Sequence, residues 1–151
     1  MSKLLESDIE DYFVKHLDEI DDDLVLLKRQ YIVNYKKKRI GIIDILCIQG
    51  LDKRYVIIEN KRGELKGIDV GQVLSYYKIF KSIDAISSVE RRQPKIILIA
   101  TSVGPQFEIA CEALLDLGME IEVKIAMQDS EGKWFLEDYF SESYGRLKIP
   151  K

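Results

Sequence analysis

The sequence predicts an α/β fold with the element order αβββαβαβ. Three observations predict it: apolar residues recur at helical spacing over residues 5–20, residues 24–35 are rich in Leu, Val, Ile and Tyr, and the centre of residues 95–101 is apolar throughout. Segments in this order favour a mixed central sheet flanked by helices. The length of 151 residues suits a single domain, expected to span residues 1–151.

The first half of the chain is predicted to form one helix and three strands. Residues 5–20 carry apolar side chains at helical spacing. Residues 24–35 are rich in Leu, Val, Ile and Tyr, and residues 39–48 follow a turn of three lysines, so both segments are expected to be strands. Residues 49–53 have the composition of a hairpin loop and lead into a third strand over Arg54–Lys61.

The second half begins with a breaker region and then alternates helices with strands. In chain order we expect a breaker at 63–67, a helix at about 68–82, a strand at 95–101, a helix at about 105–117 ended by Gly118, a strand at 119–127, and an edge strand or packing tail in the aromatic-rich remainder.

Composition is that of an ordinary soluble globular protein, with 46% hydrophobic and 32% charged residues. No run of 18 apolar residues occurs, so we expect no membrane span. The acidic N-terminus lacks the layout of a secretory signal, which favours a cytoplasmic location. Cys47 and Cys111 lie in apolar runs without metal-ligand spacing and are expected to be buried thiols.

Charge is distributed unevenly along the chain although the formal net charge is only −3. Residues 1–23 hold nine acids and two bases, whereas residues 24–43 hold six bases and no acid. Such a basic run can contact nucleic-acid phosphates, and it can equally be a solvated hairpin tip. Its members are Lys28, Arg29, Lys36, Lys37, Lys38 and Arg39.

Two carboxylates occupy predicted strands where acids are unusual. Strict alternation places Asp44 on the same face as Ile42 and Leu46, and it places Glu59 on the same face as Lys61. An ionised carboxylate is rarely buried in a strand unless it is paired or bound to metal. If the second and third strands form a hairpin, the two carboxylates can converge where the strand ends separate.

That arrangement has a chemical use. Mg²⁺ (or Mn²⁺) prefers oxygen ligands and keeps several waters, so two carboxylates and a carbonyl suffice to hold it. A bound ion would polarise a phosphate and activate a water, while Lys61 could orient that water or stabilise developing charge. The alternative is a structural ion pair of Lys61 with Asp44 or Glu59.

The pattern resembles the D-x(n)-(D/E)-x-K signature of the PD-(D/E)XK nuclease superfamily. Fourteen residues separate Asp44 from Glu59, and a predicted helix carrying Gln72 and Tyr76 follows, similar to the Q-x-x-x-Y motif of RecB-like and NucS-like branches. Ile9-Glu10-Asp11-Tyr12-Phe13 resembles the L-E-x-x-L opening of NucS-like (DUF91-type) endonucleases, so the resemblance covers roughly residues 5–125.

The resemblance implies a restriction-endonuclease-like fold and a metal-dependent DNA endonuclease that hydrolyses phosphodiester bonds with a metal-activated water. The residues expected at such a site are Asp44, Glu59, Lys61, Glu10, Gln72 and Tyr76 for catalysis and Asp44, Glu59, Glu10 and Asn60 for the metal. The charge pattern, independently of the resemblance, gives the candidate DNA contacts: Lys36, Lys37, Lys38, Arg39, Arg62 and Lys66.

The sequence departs from the family pattern at three positions. Ile43 stands where the superfamily name has Pro, Ile42 where the NucS pattern has Arg, and the polar Asn60 where an aliphatic residue is usual. Glu10 also has another interpretation, because Ser7 and Glu10 fit a capping box at a helix start.

Two other functions remain open from the sequence: a nucleic-acid-binding module with a degenerate nuclease site, and an α/β interaction protein with a structural ion pair. The expected partner is DNA, and a homodimer is possible. The dimer rests on apolar C-terminal residues that could instead cover their own subunit: Trp134, Phe135, Leu136, Tyr139, Phe140 and Tyr144.

Overall fold

Three helices and eight strands make up the computed structural model, which describes residues 2–50, 53–86 and 93–140. In chain order they are α1 (Ser2–Lys15), a short 3-10 turn (Leu17–Glu19), β1 (Leu24–Tyr35), β2 (Lys38–Gln49), β3 (Arg54–Asn60), β4 (Glu64–Leu65), α2 (Asp69–Ile86), β5 (Lys95–Ala100), β6 (Ser102–Val103), α3 (Pro105–Asp116), β7 (Glu120–Gln128) and β8 (Trp134–Phe140).

Six strands form one mixed sheet in the order β1-β2-β3-β5-β7-β8. Strands β1, β2 and β3 pair antiparallel, β3, β5 and β7 pair parallel, and β8 pairs antiparallel with β7. One face of the sheet packs against α2 and α3 in a core that includes Phe80 and Phe107. The other face packs against α1 through Ile9 and Phe13. The predicted α/β class, a mixed sheet flanked by helices, is confirmed.

The turn between β1 and β2 is tighter than expected. Tyr35 pairs with Lys38, so only Lys36 and Lys37 form the turn, with φ values of 50° and 66°. Two consecutive left-handed residues are the geometry of a type I′ hairpin turn, where Asn and Gly are more usual. The four residues from Lys36 to Arg39 are all exposed.

Several element boundaries differ from the sequence prediction. Helix α1 ends at Lys15 rather than residue 20, because His16 leaves the helical conformation (φ −133°, ψ 49°). After the 3-10 turn, Ile20 lies in the core and is 2% exposed. The helical spacing of apolar residues therefore continues beyond the end of α1. The breaker region at 63–67 contains β4, which pairs in parallel with β6 in a second small sheet.

Side-chain alternation changes phase at Asp44, so the expected common face of Ile42, Asp44 and Leu46 is wrong. Ile43 and Leu46 both lie in the core beneath α2 and α3, whereas Ile45 lies in the core beneath α1. On the neighbouring strand, Gln30 lies between the residues that pair with Ile45 and Ile43 and has φ 51°, so both strands of the hairpin are irregular at this level.

Buried ion pairs hold together the ends of the sheet at which the parallel strands begin. Arg54 at the start of β3 pairs with Glu120 on β7, and Lys95 on β5 pairs with Asp21 at 2.6 Å and with Glu122 at 3.1 Å. Burial alone would raise the pKa of Asp21, but the hydrogen bond and charge of Lys95 outweigh it and lower that pKa.

Both cysteines are free and buried, as expected, and burial raises the pKa of the Cys47 and Cys111 thiols to about 12. Thiols in such surroundings are poor nucleophiles because the thiolate is disfavoured. Within the described ranges no helix is both long enough and apolar enough to cross a membrane.

Candidate nuclease active site

Asp44 and Glu59 converge at the point where β2 and β3 separate. Backbone pairing of these strands runs from Gln49 opposite Arg54 to Ile45 opposite Ile58 and stops there. Beyond it, the Asp44 amide donates to Glu59 Oε1 at 3.2 Å, and the Asn60 amide donates to Asp44 Oδ2 at 2.8 Å. The two carboxylates therefore accept hydrogen bonds from backbone N–H groups that lie beyond the last paired residues of the two strands.

Glu10 reaches this site from α1 through residues of β1. Arg29 donates to Glu10 Oε2 through Nε, at 3.1 Å, and through Nη2. Gln30 Nε2 donates to Glu10 Oε1 at 2.6 Å and lies 3.4 Å from Asp44 Oδ1. The capping-box interpretation of Glu10 is wrong, because α1 begins at Ser2 and Glu10 is therefore well inside the helix.

Lys61 is held by the first residue of α2. Its Nζ lies 3.1 Å from Asp69 Oδ1, and Asp69 Oδ2 accepts the backbone N–H of Lys66 at 2.7 Å. An acidic residue at a helix start is favoured by the helix dipole and by local N–H groups. Asp69 was not among the residues expected at the site, although an aspartate at the start of a predicted helix, eight residues after Lys61, was a usable signal.

Strand β3 and helix α2 enclose a small cavity of about 40 Å³. A space of this size holds roughly one or two water molecules. Glu59 and Lys61, expected to share one face, and Gln72 and Tyr76, expected to share another, all line this cavity. The lining residues are Glu59, Asn60, Lys61, Leu65, Asp69, Gln72, Val73, Tyr76, Ile96 and Leu98.

Tyr76 fixes the strand that leads into Asp44. Its hydroxyl donates to the Ile42 carbonyl at 3.3 Å, and the residue is 1% exposed. Burial, followed by the negative charges of Glu59 and Asp44, raises the pKa of Tyr76, so the phenol keeps its proton and remains a donor. A side chain at Gly41 would bring Cβ within 2.2 Å of the Tyr76 Oη. Glycine at position 41 therefore allows α2 to approach β2.

Asn60 contributes its backbone rather than its side chain to the geometry around Asp44. The residue is 6% exposed, and among the described residues its Oδ1 and Nδ2 have no hydrogen-bond partner. Alternation from Ile58, which packs beneath α1, places the Asn60 side chain on that same face. A buried amide without partners is costly, and we have no physical account of it.

The basic residues predicted to contact DNA fall into two exposed groups. Lys36, Lys37, Lys38 and Arg39 lie at the tip of the β1–β2 hairpin, and Arg62 and Lys66 lie in the segment between β3 and α2. Arg29 belongs to neither group, because its guanidinium pairs with Glu10 and Asp11.

In the parts of the chain that the structure describes, no three His, Cys, Asp or Glu side chains gather closely enough to form a metal cluster. Asp44 and Glu59 offer two carboxylates, and Glu10 is linked to Asp44 through Gln30. This donor set suits a hard cation that keeps several waters, as Mg²⁺ does, because few protein ligands are then required.

The sequence matches the family model for the C-terminal domain of endonuclease NucS over residues 5–134. No curated protein matches it. Among solved structures, a complex of EndoMS with dsDNA is similar, with a TM-score of 0.59, 21% identity and coverage of 78% of this chain and 43% of that chain.

Two further solved structures have the same fold. The apo form of EndoMS has a TM-score of 0.54 and 20% identity, covering 77% of this chain and 44% of that one. Pyrococcus furiosus SfsA in complex with Ca²⁺ has a TM-score of 0.50 and 14% identity, covering 90% of this chain and 62% of that one. The chain thus spans less than two thirds of each of these structures, and at such identities the likeness establishes the fold.

Gly41 provides a test of how α2 is seated beside the site. Gly41→Ala should lower the free energy of unfolding by about 1–3 kcal/mol, because the new methyl overlaps the Tyr76 hydroxyl in a packed core. Adding Tyr76→Phe should recover part of the loss. Gly71→Ala in α2 is the control, because a Cβ there meets nothing within 4 Å. Urea denaturation of the wild type, the two Gly41→Ala proteins and Gly71→Ala measures these stabilities. An unaltered stability in Gly41→Ala would refute the close packing of Tyr76 against Gly41.

Proposed function

We propose that this chain, which belongs to the endonuclease NucS C-terminal domain family, is the catalytic domain of a metal-dependent DNA endonuclease. One observation carries the proposal. Where β2 and β3 separate, beside the cavity that Lys61 lines, the Glu59 carboxylate accepts a backbone N–H of β2 and the Asp44 carboxylate accepts a backbone N–H of β3. Acidic side chains brought together in this way at a strand end, with an adjacent ammonium, suit phosphodiester hydrolysis.

Asp44 and Glu59 are the residues that would hold Mg²⁺ or Mn²⁺. When bound, such an ion supplies Lewis-acid polarisation of the phosphate and lowers the pKa of a water ligand. The fit rests on donor chemistry, since both groups present oxygen and both are anchored by backbone N–H groups or strand geometry. Glu10 supports the same site through Gln30, and Asn60 supports it through its backbone.

Lys61 is the residue best placed to interact with the phosphate. Its side chain is 42% exposed, whereas that of its partner Asp69 is 18% exposed and also accepts the Lys66 N–H. Because Asp69 keeps this second hydrogen bond, Lys61 can turn from Asp69 towards an anionic substrate at modest cost. An ammonium next to the reacting phosphate would stabilise the charge that develops in the transition state.

We propose DNA as the substrate on the strength of the family and of EndoMS, which has been solved with dsDNA. The exposed basic residues at the hairpin tip and after β3 supply the cations that phosphate contacts require. We place the protein in the cytoplasm, where free thiols such as Cys47 and Cys111 persist.

Three substitutions test the chemistry. Asp44→Asn, Glu59→Gln and Lys61→Ala should each lower Mg²⁺- or Mn²⁺-dependent cleavage of DNA by at least about a hundredfold, the scale on which lost transition-state electrostatics are measured. Asn and Gln keep a carbonyl oxygen that can accept the same N–H groups, so melting temperatures without metal should hold. Glu131→Gln, at an exposed turn, is the control. Full activity in Glu59→Gln would rule out the mechanism.

The hairpin tip provides a test of DNA contact. Lys36→Asn, Lys37→Gly and Lys38→Gln together remove three charges while giving the turn the residues its left-handed φ values favour. In an Asp44→Asn background, DNA affinity should fall for all sequences, and the slope of log affinity against log salt should flatten by about one per lost phosphate contact. Fluorescence anisotropy measures both quantities.

The control for this test is Lys53→Asn with Lys133→Gln, which removes charge from two exposed turn positions elsewhere. The Lys53 position also has a left-handed φ, of 53°. If the hairpin variant keeps the wild-type salt slope, the tip is a solvated turn and makes no contact with DNA.

We also propose a homodimer formed through the end of the β7–β8 pair. Trp134 and Tyr139 pack into their own subunit's cores, so they are not available for it, and Tyr144 lies outside the described residues. Met127 and Phe135 pair directly and are 39% and 38% exposed, which leaves an apolar patch near an edge strand.

Light scattering at micromolar concentration should therefore give twice the chain mass of 17.5 kDa. Phe135→Lys should shift the protein towards the monomer, whereas Ile109→Lys, at a residue of α3 that is 66% exposed, should leave the mass unchanged. A wild-type mass of one chain, both alone and with DNA and Mg²⁺, would contradict the dimer.

A further inference from the structure

Gln30 holds a backbone conformation that its residue type disfavours. Five non-glycine residues of the described chain have positive φ: Asp23, Gln30, Lys36, Lys37 and Lys53. Four of them lie in turns, and Gln30 alone lies inside a strand. A glutamine in the left-handed region costs roughly 1 kcal/mol or more, and such strain often accompanies a functional geometry.

The strained backbone brings the Gln30 amide between two carboxylates. The flanking pairs Arg29 with Ile45 and Tyr31 with Ile43 place Gln30 directly opposite Asp44. Its Nε2 lies 2.6 Å from Glu10 Oε1 and 3.4 Å from Asp44 Oδ1. Ionised carboxylates only accept hydrogen bonds, so the amide nitrogen and not its oxygen must face them, and its two N–H groups can serve one carboxylate each.

These contacts hold Asp44 from both ends. The backbone N–H of Asn60 donates to Asp44 Oδ2, and the side-chain amide of Gln30 lies next to Asp44 Oδ1. The plane of the Asp44 carboxylate therefore has little freedom to rotate. Glu10, in contrast, has its charge balanced by Arg29, and it reaches Asp44 through the neutral amide of Gln30.

We propose that Gln30 is a positioning residue of the site, which fixes the orientation of Asp44 towards a divalent cation and transmits the influence of Glu10 to it. The inference rests on the proposed function, because it presumes that Asp44 binds metal. Its rival is a purely structural role, in which Gln30 only fastens α1 to β1. The two differ in what they predict for metal affinity at constant fold stability.

Titration calorimetry of Mn²⁺ into the full chain, without DNA, tests the proposal. Gln30→Gly should weaken Mn²⁺ binding about tenfold, as loss of groups that orient metal ligands commonly does. The melting temperature without metal should not fall, since glycine adopts positive φ freely. Lys53→Gly is the matched control, with a left-handed φ of 53° at a turn away from the site, and should bind Mn²⁺ like wild type.

Two more variants sharpen the result. Gln30→Asn tolerates positive φ but withdraws the amide by one methylene, and it should weaken Mn²⁺ binding while the fold is kept. Glu10→Gln should also weaken binding, and Glu10→Gln with Gln30→Gly should be no worse than Gln30→Gly alone, because one residue acts through the other.

Each outcome is decisive. Unchanged Mn²⁺ affinity in Gln30→Gly and Gln30→Asn, or a fall in melting temperature without a change in affinity, overturns the proposal and leaves the nuclease function intact. Additive losses in the double variant overturn the transmission from Glu10. A wild-type chain that binds no Mn²⁺ overturns the metal site itself, and the role of Gln30 with it.

Discussion

The site depends on one constraint, which is that β2 and β3 stop pairing after Ile45 and Ile58 while both chains continue. Strand β3 stays paired with β5, and the Lys61 N–H donates to the Ile99 carbonyl, whereas its ladder with β2 ends at Ile58. Buried N–H groups must be satisfied, and the carboxylates of Asp44 and Glu59 take this role. The acidic pair is therefore built into the sheet, and its geometry is as rigid as the strands.

The two ends of the parallel strands differ in their charged residues. Where β3, β5 and β7 begin, Arg54 and Lys95 form buried ion pairs with acids of neighbouring elements. Such pairs gain little net stability because desolvation is costly, but each demands one partner geometry. At the other end β3 remains paired with β5 but separates from β2, and crevices at the carboxyl ends of parallel strands are where α/β folds bind ligands.

The sequence predicted that Asp44 and Glu59 converge, because an acid in an apolar strand is conspicuous. It failed where the outcome depends on tertiary contact or on unusual backbone. The residue type of Gln30 does not predict its left-handed φ. Regular alternation likewise does not predict the phase change at Asp44. The contact of Asp69 with Lys61 is a tertiary one, and residue spacing gives the helix start but not its position relative to β3.

The basic run of the sequence is two features in the structure. Arg29 pairs with both Glu10 and Asp11, whereas Lys36 to Arg39 are exposed at the hairpin tip. The distinction matters for how a polyanion approaches. A site with several acids repels phosphate, and pairing two of those acids to one guanidinium reduces that repulsion without placing a mobile cation in the cavity. Exposed lysines at the tip can then attract phosphates over the Debye length of about 8 Å at physiological salt. Under the proposed function, DNA attraction and catalysis would therefore depend on different parts of one hairpin, whose basic residues form a single charge run in the sequence.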